Sequence, residues 1–281
     1  APPISSLEWW GHGWLLPATV HVAQGDEQVP EYSVLRYYDE DMDPRKEFVL
    51  TTKDEGLIYP AVVQATTVQA PSPQLSNLQA LGEVTETGFV LQAPTSSPIV
   101  TSTPPKKFLV ALFSSVRGLD ELRRVHRATS MDGGATWSKP TTTSLPNYGT
   151  PVALTILESG TMVCVFTNSA YDVENDWRLS TSIVILSVAL SLDNGITWPW
   201  VRDLQEHYDE GFKNSEPSVV SNAIGDRVHI TFTSSFYDKQ WSMRRRSKIV
   251  HMSVSTQWIK GEWKNGVSSI GAFKGDASKR Y

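Results

Sequence analysis

The sequence predicts an all-β protein assembled from repeated antiparallel units, and three observations carry that prediction. The octet Ser130-Met-Asp-Gly-Gly-Ala-Thr-Trp137 returns as Ser191-Leu-Asp-Asn-Gly-Ile-Thr-Trp198, so the pattern Ser-x-Asp-x-Gly-x-Thr-Trp occurs twice with every defining position kept. Two residues, then a proline, then an apolar run recur at Pro17, Pro60, Pro151 and Pro217. Between these marks lie short runs rich in β-branched and aromatic residues, which favour strands. The octet has the chemistry of a tight hairpin turn: Ser and Asp side chains bond nearby backbone groups, and Gly supplies a positive φ. Its tryptophan is expected to pack behind the turn and pin it to the sheet.

Taken in order, each unit opens at its proline, which is tolerated at the start of a strand because its missing N–H need not join the ladder. These four openings are expected to be the innermost strands of their units. The first unit runs through residues 15–22, with strands at 32–37 and 48–50, and is expected to close at Thr52-Lys-Asp54-Glu-Gly56, an octet remnant without its tryptophan. The second starts at 58–64 and is interrupted by residues 67–106, where six prolines stand among Ser, Thr and Gln. That composition predicts an extended excursion. The unit resumes at 108–113 and 124–128 and meets the first octet. The third has strands at 151–156, 160–166 and 182–190, with forty residues from Pro151 to Ser191, a length that suits three short strands and their turns. The fourth has 217–220, 227–233 and 248–254, and keeps only Gln257-Trp258-Ile259 of the octet. A single domain over 1–281 is expected, with an insertion at about 67–106 and a closing strand or peripheral tail from about 260.

Bulk properties narrow the functional classes. The 281 residues are 40% hydrophobic and 20% charged with a formal net charge of −5, an ordinary globular composition that favours neither nucleic acid nor an anionic membrane as partner. No apolar stretch reaches the length of a membrane-spanning helix. The basic cluster Arg244-Arg245-Arg246 with Lys248 reads as a solvated hairpin tip. The single cysteine, Cys164, lies in the apolar run Met-Val-Cys-Val-Phe, so no intrachain disulfide forms and the thiol is expected to be inert in the core. The six histidines show no His-x-x-x-His spacing, so neither a metal site nor a cofactor is expected. The sequence begins with Ala, which leaves the compartment open between a processed precursor and a trimmed chain.

The repeated octet resembles the Asp-box, or BNR repeat, of the sialidase-like β-propellers. In that family it joins the third and fourth strands of a blade, far from the active site. The resemblance spans roughly residues 58–260 and is strongest toward the C-terminus, where 147–168 is similar to the penultimate blade and 217–252 to the closing one. It implies a sialidase-like β-propeller with Ser130, Asp132, Gly134, Trp137, Ser191, Asp193, Gly195 and Trp198 as structural Asp-box residues. Four recognisable units are fewer than the six blades of that family, so an incomplete ring or divergent blades are expected. Protein partners are then expected at the open edges and the Pro-rich insertion.

The resemblance also implies an exo-glycosidase in which three arginines grip a carboxylate, a tyrosine nucleophile is activated by a glutamate, and an aspartate acts as general acid. A guanidinium holds a carboxylate in bidentate fashion, and a phenol needs an adjacent base at neutral pH. Here the family's Phe-Arg-Ile-Pro motif is absent, since Leu15-Leu16 precedes the first proline, and Thr233-Ser-Ser-Phe236 replaces the arginines that many relatives carry after the closing-blade strand. Arg117 is the one arginine placed for a triad. Positions flanking the prolines would line the mouth: His12, Trp14, Tyr59, Thr150 and Glu216. Tyr59 and Glu216 are the candidate nucleophile and base, and Trp14 with His12 the candidate sugar-binding residues. Three functions follow as expectations: a degenerate, non-catalytic propeller serving as a binding or scaffold subunit, a divergent exo-glycosidase, or a glycan-binding module without hydrolysis.

Overall fold

Among the described residues, the apolar runs and the turn residues between them set sixteen strands and almost no helix. A computed structural model describes residues 8–10, 13–24, 27–66, 107–115, 123–147, 149–168, 185–204, 212–222, 226–237, 245–261 and 267–272. The strands form four antiparallel sheets, each of four strands in chain order. The first holds β1 (Glu8–Trp10), β2 (Gly13–Gln24), β3 (Glu27–Asp39) and β4 (Pro44–Val49). The second holds β5 (Leu57–Thr66), β6 (Lys107–Ser115), β7 (Arg124–Ser130) and β8 (Thr141–Pro146). The third holds β9 (Ala153–Ile156), β10 (Met162–Thr167), β11 (Leu186–Ser191) and β12 (Trp200–Asp203). The fourth holds β13 (Phe212–Ser221), β14 (Arg227–Tyr237), β15 (Arg245–Ser255) and β16 (Val267–Ala272), with a single helical turn, α1 (Thr256–Ile259), between its last two strands.

The core lies between the sheets. Central strands buried on both faces read as continuous apolar runs, and alternate residues serve opposite neighbours. In β6, Leu109, Ala111 and Phe113 pack toward the first sheet, while Phe108, Val110 and Leu112 pack toward the third. In β10, Met162, Cys164 and Phe166 meet the second sheet and Val163 and Val165 meet the fourth. Burial pushes the Cys164 thiol well above its ordinary range, so it acts as a small apolar residue. Contacts run from β2 and β3 to β5, from β5 to β9, and from β9 and β10 to β13. No comparable contact joins the fourth sheet to the first among the described residues, so the described sheets are successive blades of a propeller and leave its ring open.

Both octets form the turn between the third and fourth strands of their sheets, as the resemblance implies. In the first, the Ser130 hydroxyl donates to Asp132 Oδ1 at 2.8 Å and accepts the Gly134 N–H at 2.8 Å. Asp132 Oδ1 also accepts the Thr136 N–H, and Oδ2 the Thr136 hydroxyl, at 2.9 and 2.6 Å. The second octet repeats every one of these bonds among Ser191, Asp193, Gly195 and Thr197. Gly134 and Gly195 hold φ of 91° and 82°. Asn194 takes the left-handed place of Gly133, with φ of 58° against 75°, as asparagine tolerates.

The tryptophans reach backward. Trp137 packs on the apolar cluster that includes Leu15, Leu35 and Leu50 of the preceding sheet and its exit, and a Cβ at Gly134 would lie 2.8 Å from Leu35 Cδ2. Trp198 is buried among residues of the second sheet. That turn is tied down twice more, by Arg127 Nε donating to Asn194 O at 2.7 Å and Asn194 Nδ2 donating to Thr66 O at 3.3 Å. In the fourth sheet, where the octet is lost, Trp258 still packs against the third. The Arg202 guanidinium lies 4.0 Å above its ring and donates to Trp258 O at 2.6 Å.

Two expectations are corrected. Thr52–Gly56 is not an octet remnant. It forms a short 3-10 turn, capped by Thr52 and ended by Gly56 at φ 58°, that connects the first sheet to the second. The position of the octet in the first sheet is instead an acidic turn, where Asp39 Oδ1 accepts the N–H groups of Asp41 and Asp43 and Oδ2 accepts from Arg45 Nε. Likewise the run at 15–22 is the second strand of its sheet, because Glu8–Trp10 pairs ahead of it and Pro17 sits inside β2 opposite Leu35.

Two measurements test this account. Trp198→Ala is expected to cost about 3–5 kcal/mol and the half-buried Trp137→Ala about 2–3 kcal/mol, read from denaturant midpoints; a loss below about 1 kcal/mol for Trp198→Ala would remove the tryptophan from its role between sheets. Bonds from Thr136 and Ser130 hold the Asp132 carboxyl down at about 2, below an unfolded value near about 3.9. Its contribution to stability is therefore full above pH ~4 and fades as pH falls toward ~2. The stability gap between wild type and Asp132→Asn is expected to narrow over that window and to stay constant from pH 5 to 8.

Candidate functional site

Corners inside the innermost strands carry the unusual backbone, and Pro60 and Pro217 sit within β5 and β13, not at their first residues as expected. Tyr59 and Glu216 hold φ of 52° and 55°, a left-handed region that side-chain-bearing residues seldom adopt. Both precede the proline of their strand, and both sit in a β-bulge, between Ile58 and Ala61 in β5 and between Ser215 and Ser218 in β13. The same corner therefore occurs in two sheets. Ahead of the third, Gly149 at φ 104° and Thr150 precede Pro151, and the corner is built by the fully buried Asn147. Its Oδ1 accepts the N–H of Gly149 at 2.8 Å and of Thr150 at 3.1 Å, and its Nδ2 donates to Thr150 O at 3.2 Å.

Buried hydroxyls rivet the corners of the second and third sheets to the sheet before. The Ser33 and Thr51 hydroxyls both donate to Leu57 O at 2.9 Å. The Thr19 hydroxyl oxygen accepts the Tyr59 N–H at 2.8 Å, and the Ser114 hydroxyl donates to Thr150 O. Two hydroxyl oxygens at this level, Thr167 Oγ1 and Ser234 Oγ, are buried without a hydrogen-bond partner. The end of the molecule that carries the corners is thus rich in serine and threonine, and no contiguous sequence motif announced it. The signals on offer were the repeated Ser114-Ser115 and Ser234-Ser235 pairs that follow the central strands.

The expected site residues are only partly brought together. Tyr59 is half-buried, and desolvation raises its phenol above the ordinary tyrosine range, the opposite of what an activated nucleophile needs. Glu216 is exposed, and its Oε2 accepts the Thr233 hydroxyl at 3.1 Å. β9 stands between their strands, since contacts run from β5 to β9 and from β9 to β13. Trp14 alternates with Leu15, which faces the second sheet, so its half-buried ring lies on the other face of the first sheet, opposite Tyr38 in the pairing. His12 and Arg117 lie outside the described residues.

The described arginines with defined partners hold strands and sheets in place. Arg36 Nε donates to Glu47 at 2.8 Å and Arg45 pairs with Asp39. Arg124 donates to Ser144 O, Arg127 and Arg202 tie neighbouring sheets, and Arg227 donates twice to Ser253. Among the described residues no group of three or more His, Cys, Asp or Glu side chains is arranged to hold a metal ion, and no helix is long and apolar enough to cross a membrane.

Comparisons with known proteins fit this architecture. No curated protein matches the chain. Among solved structures it is similar to an endo-arabinase from Bacteroides thetaiotaomicron, at 10% identity over 97% of this chain and 84% of that one, with a TM-score of 0.47. It is similar also to an α-L-arabinanase from Penicillium chrysogenum, at 14% over 96% and 68% with a TM-score of 0.46, and to a Hadza microbial sialidase, at 18% over 51% and 32% with a TM-score of 0.34. At these values nothing about the chemistry of this chain follows from them. The profile of the BNR repeat-like domain matches residues 42–255, which takes in both octets and the last three sheets as far as β15, and the chain belongs to the BNR repeat-like domain family.

Proposed function

We propose that the chain is a non-catalytic member of its family, a propeller that binds a hydroxyl-rich partner, a glycan, at its strained corners. The observation that carries this reading is the state of Tyr59 and Glu216. The phenol is raised by burial, the carboxylate is engaged by Thr233, and a strand separates the two. A nucleophile and its base need hydrogen-bond reach, about 2.6–3.2 Å. The arginines support the same reading, because those with defined partners brace sheets and do not converge on a carboxylate site. What the corners offer is a half-buried aromatic ring, an exposed carboxylate and several hydroxyls, the mixture that stacks on and bonds to a sugar. Left-handed residues at repeated positions store backbone energy that a purely structural corner would avoid by using glycine. A second reading, hydrolysis of terminal sugars, draws on the equivalent placing of Tyr59 and Glu216 at the two corners.

The two readings separate experimentally. Binding without chemistry predicts no release of leaving group from a 4-methylumbelliferyl sialoside or a p-nitrophenyl arabinofuranoside, together with retention of at least one oligosaccharide on a glycan array. Turnover that disappears in Tyr59→Phe would overturn it. The strain gives a further prediction. Glu216→Gly removes a left-handed cost of about 1–2 kcal/mol and adds back part of it as chain entropy, so stability is expected to hold or rise by up to about 1 kcal/mol while glycan retention is lost. Glu216→Gln, which keeps the backbone strain, is expected to bring no such gain.

A further inference from the structure

The outward face of the fourth sheet differs from its counterparts. Where the second and third sheets present Val110, Leu112, Val163 and Val165 to the next sheet, the fourth presents His229 and Thr231 on β14 and His251 and Ser253 on β15. Their partners on the opposite face, Val228, Ile230, Val250 and Met252, are the ones buried in the core. His229 and His251 are half-buried and meet across the two strands. Their rings are 6° from parallel with centroids 5.4 Å apart, and His229 Nδ1 lies 3.2 Å from His251 Nε2. The two nitrogens share one hydrogen bond, whose donor is set by the tautomer of each ring.

We propose that this histidine pair is a binding site for a late first-row divalent transition-metal ion, Cu²⁺ or Zn²⁺, held by His229 Nδ1 and His251 Nε2. Metal–imidazole bonds of about 2.0–2.1 Å to two nitrogens 3.2 Å apart subtend roughly 100–105° at the metal. That angle falls between the square-planar and tetrahedral values, so the nitrogens already stand at chelating separation. At each ring the metal lies roughly 40° off the nitrogen–nitrogen line for bonds of that length, so both rings turn to bring their lone pairs to one point. The proton between the rings moves to the distal nitrogen of the ring that carries it, so the neutral pair binds metal without a net change in protons.

The surroundings select the class of ion. Arg227, held on Ser253 by two bonds at 3.1 and 3.0 Å, is a positive charge on the same face. Glu216 is turned to Thr233. Hard cations that need carboxylate ligands are therefore disfavoured, and ions that take neutral imidazole are not. Chain spacing gives no hint of the site, since the histidines are 22 positions apart and meet only through the pairing of β14 with β15.

Titration calorimetry and Cu²⁺ electron paramagnetic resonance test the site. One equivalent of Cu²⁺ is expected to bind with a two-nitrogen signature, Zn²⁺ to compete with it, and Ca²⁺ and Mg²⁺ to have no effect. His229→Ala and His251→Ala are each expected to weaken Cu²⁺ binding at least tenfold, with His126→Ala unchanged. His251→Gln, closer in bulk, provides the same reading where the alanine variant does not fold. Cu²⁺ binding that survives both His229 and His251 substitutions, or a signature of a single nitrogen, would overturn the proposal.

Discussion

The contact on which the architecture depends is the backward reach of the third turn in the second, third and fourth sheets. A single four-stranded antiparallel sheet buries too little on its own to be stable. Each sheet must cover an apolar face with its neighbour. The tryptophan of the turn does this at the rim, where strands alone leave a gap. Trp137, Trp198 and Trp258 all pack on the sheet before their own. The Ser-Asp-Gly-Thr bonds behind the first two fix the angle at which the indole leaves the turn. The fourth sheet shows which part is indispensable, because it has discarded the Asp-box bonds and kept the tryptophan, now carried on a helical turn and covered by Arg202.

That economy explains what could be read from the chain alone. The octets, the prolines at 60 and 217, and the runs at 108–113 and 248–254 were legible because each is a local pattern whose chemistry is complete within ten residues. The first sheet was not. Its β2 and β3 are 12 and 13 residues long, its acidic turn at Asp39–Asp43 uses no tryptophan, and the Thr-Lys-Asp-Glu-Gly stretch shares residue types with an Asp-box while forming a capped 3-10 turn. At the candidate site the same limit applies. Tyr59 and Glu216 are flagged by the prolines beside them, but their left-handed backbone, the rivets from Ser33, Thr51 and Ser114, and the intervening β9 are products of register and packing. Residues far apart in sequence become neighbours only after the sheets form.

The use of arginine shows how such a scaffold changes its chemistry. A guanidinium is well suited to gripping an anionic substrate, and equally to bonding a carbonyl while covering an aromatic ring. In this chain Arg127 and Arg202 do the second. The polar outward face of the fourth sheet belongs to the same pattern. There histidine, threonine and serine stand where the inner sheets carry valine, and Arg227 is bonded to Ser253 on that face.

The position of the Pro-rich insertion has a consequence for the order of folding. Thr66 and Lys107 are paired neighbours in β5 and β6, so the first hairpin of the second sheet must close a loop of forty residues. Relative to a tight hairpin, that closure costs about 1–2 kcal/mol of chain entropy before any contact rewards it. In the fourth sheet β13 and β14 are joined by residues 222–226 alone. On chain entropy alone, the first hairpin of the fourth sheet therefore closes more cheaply than the first hairpin of the second.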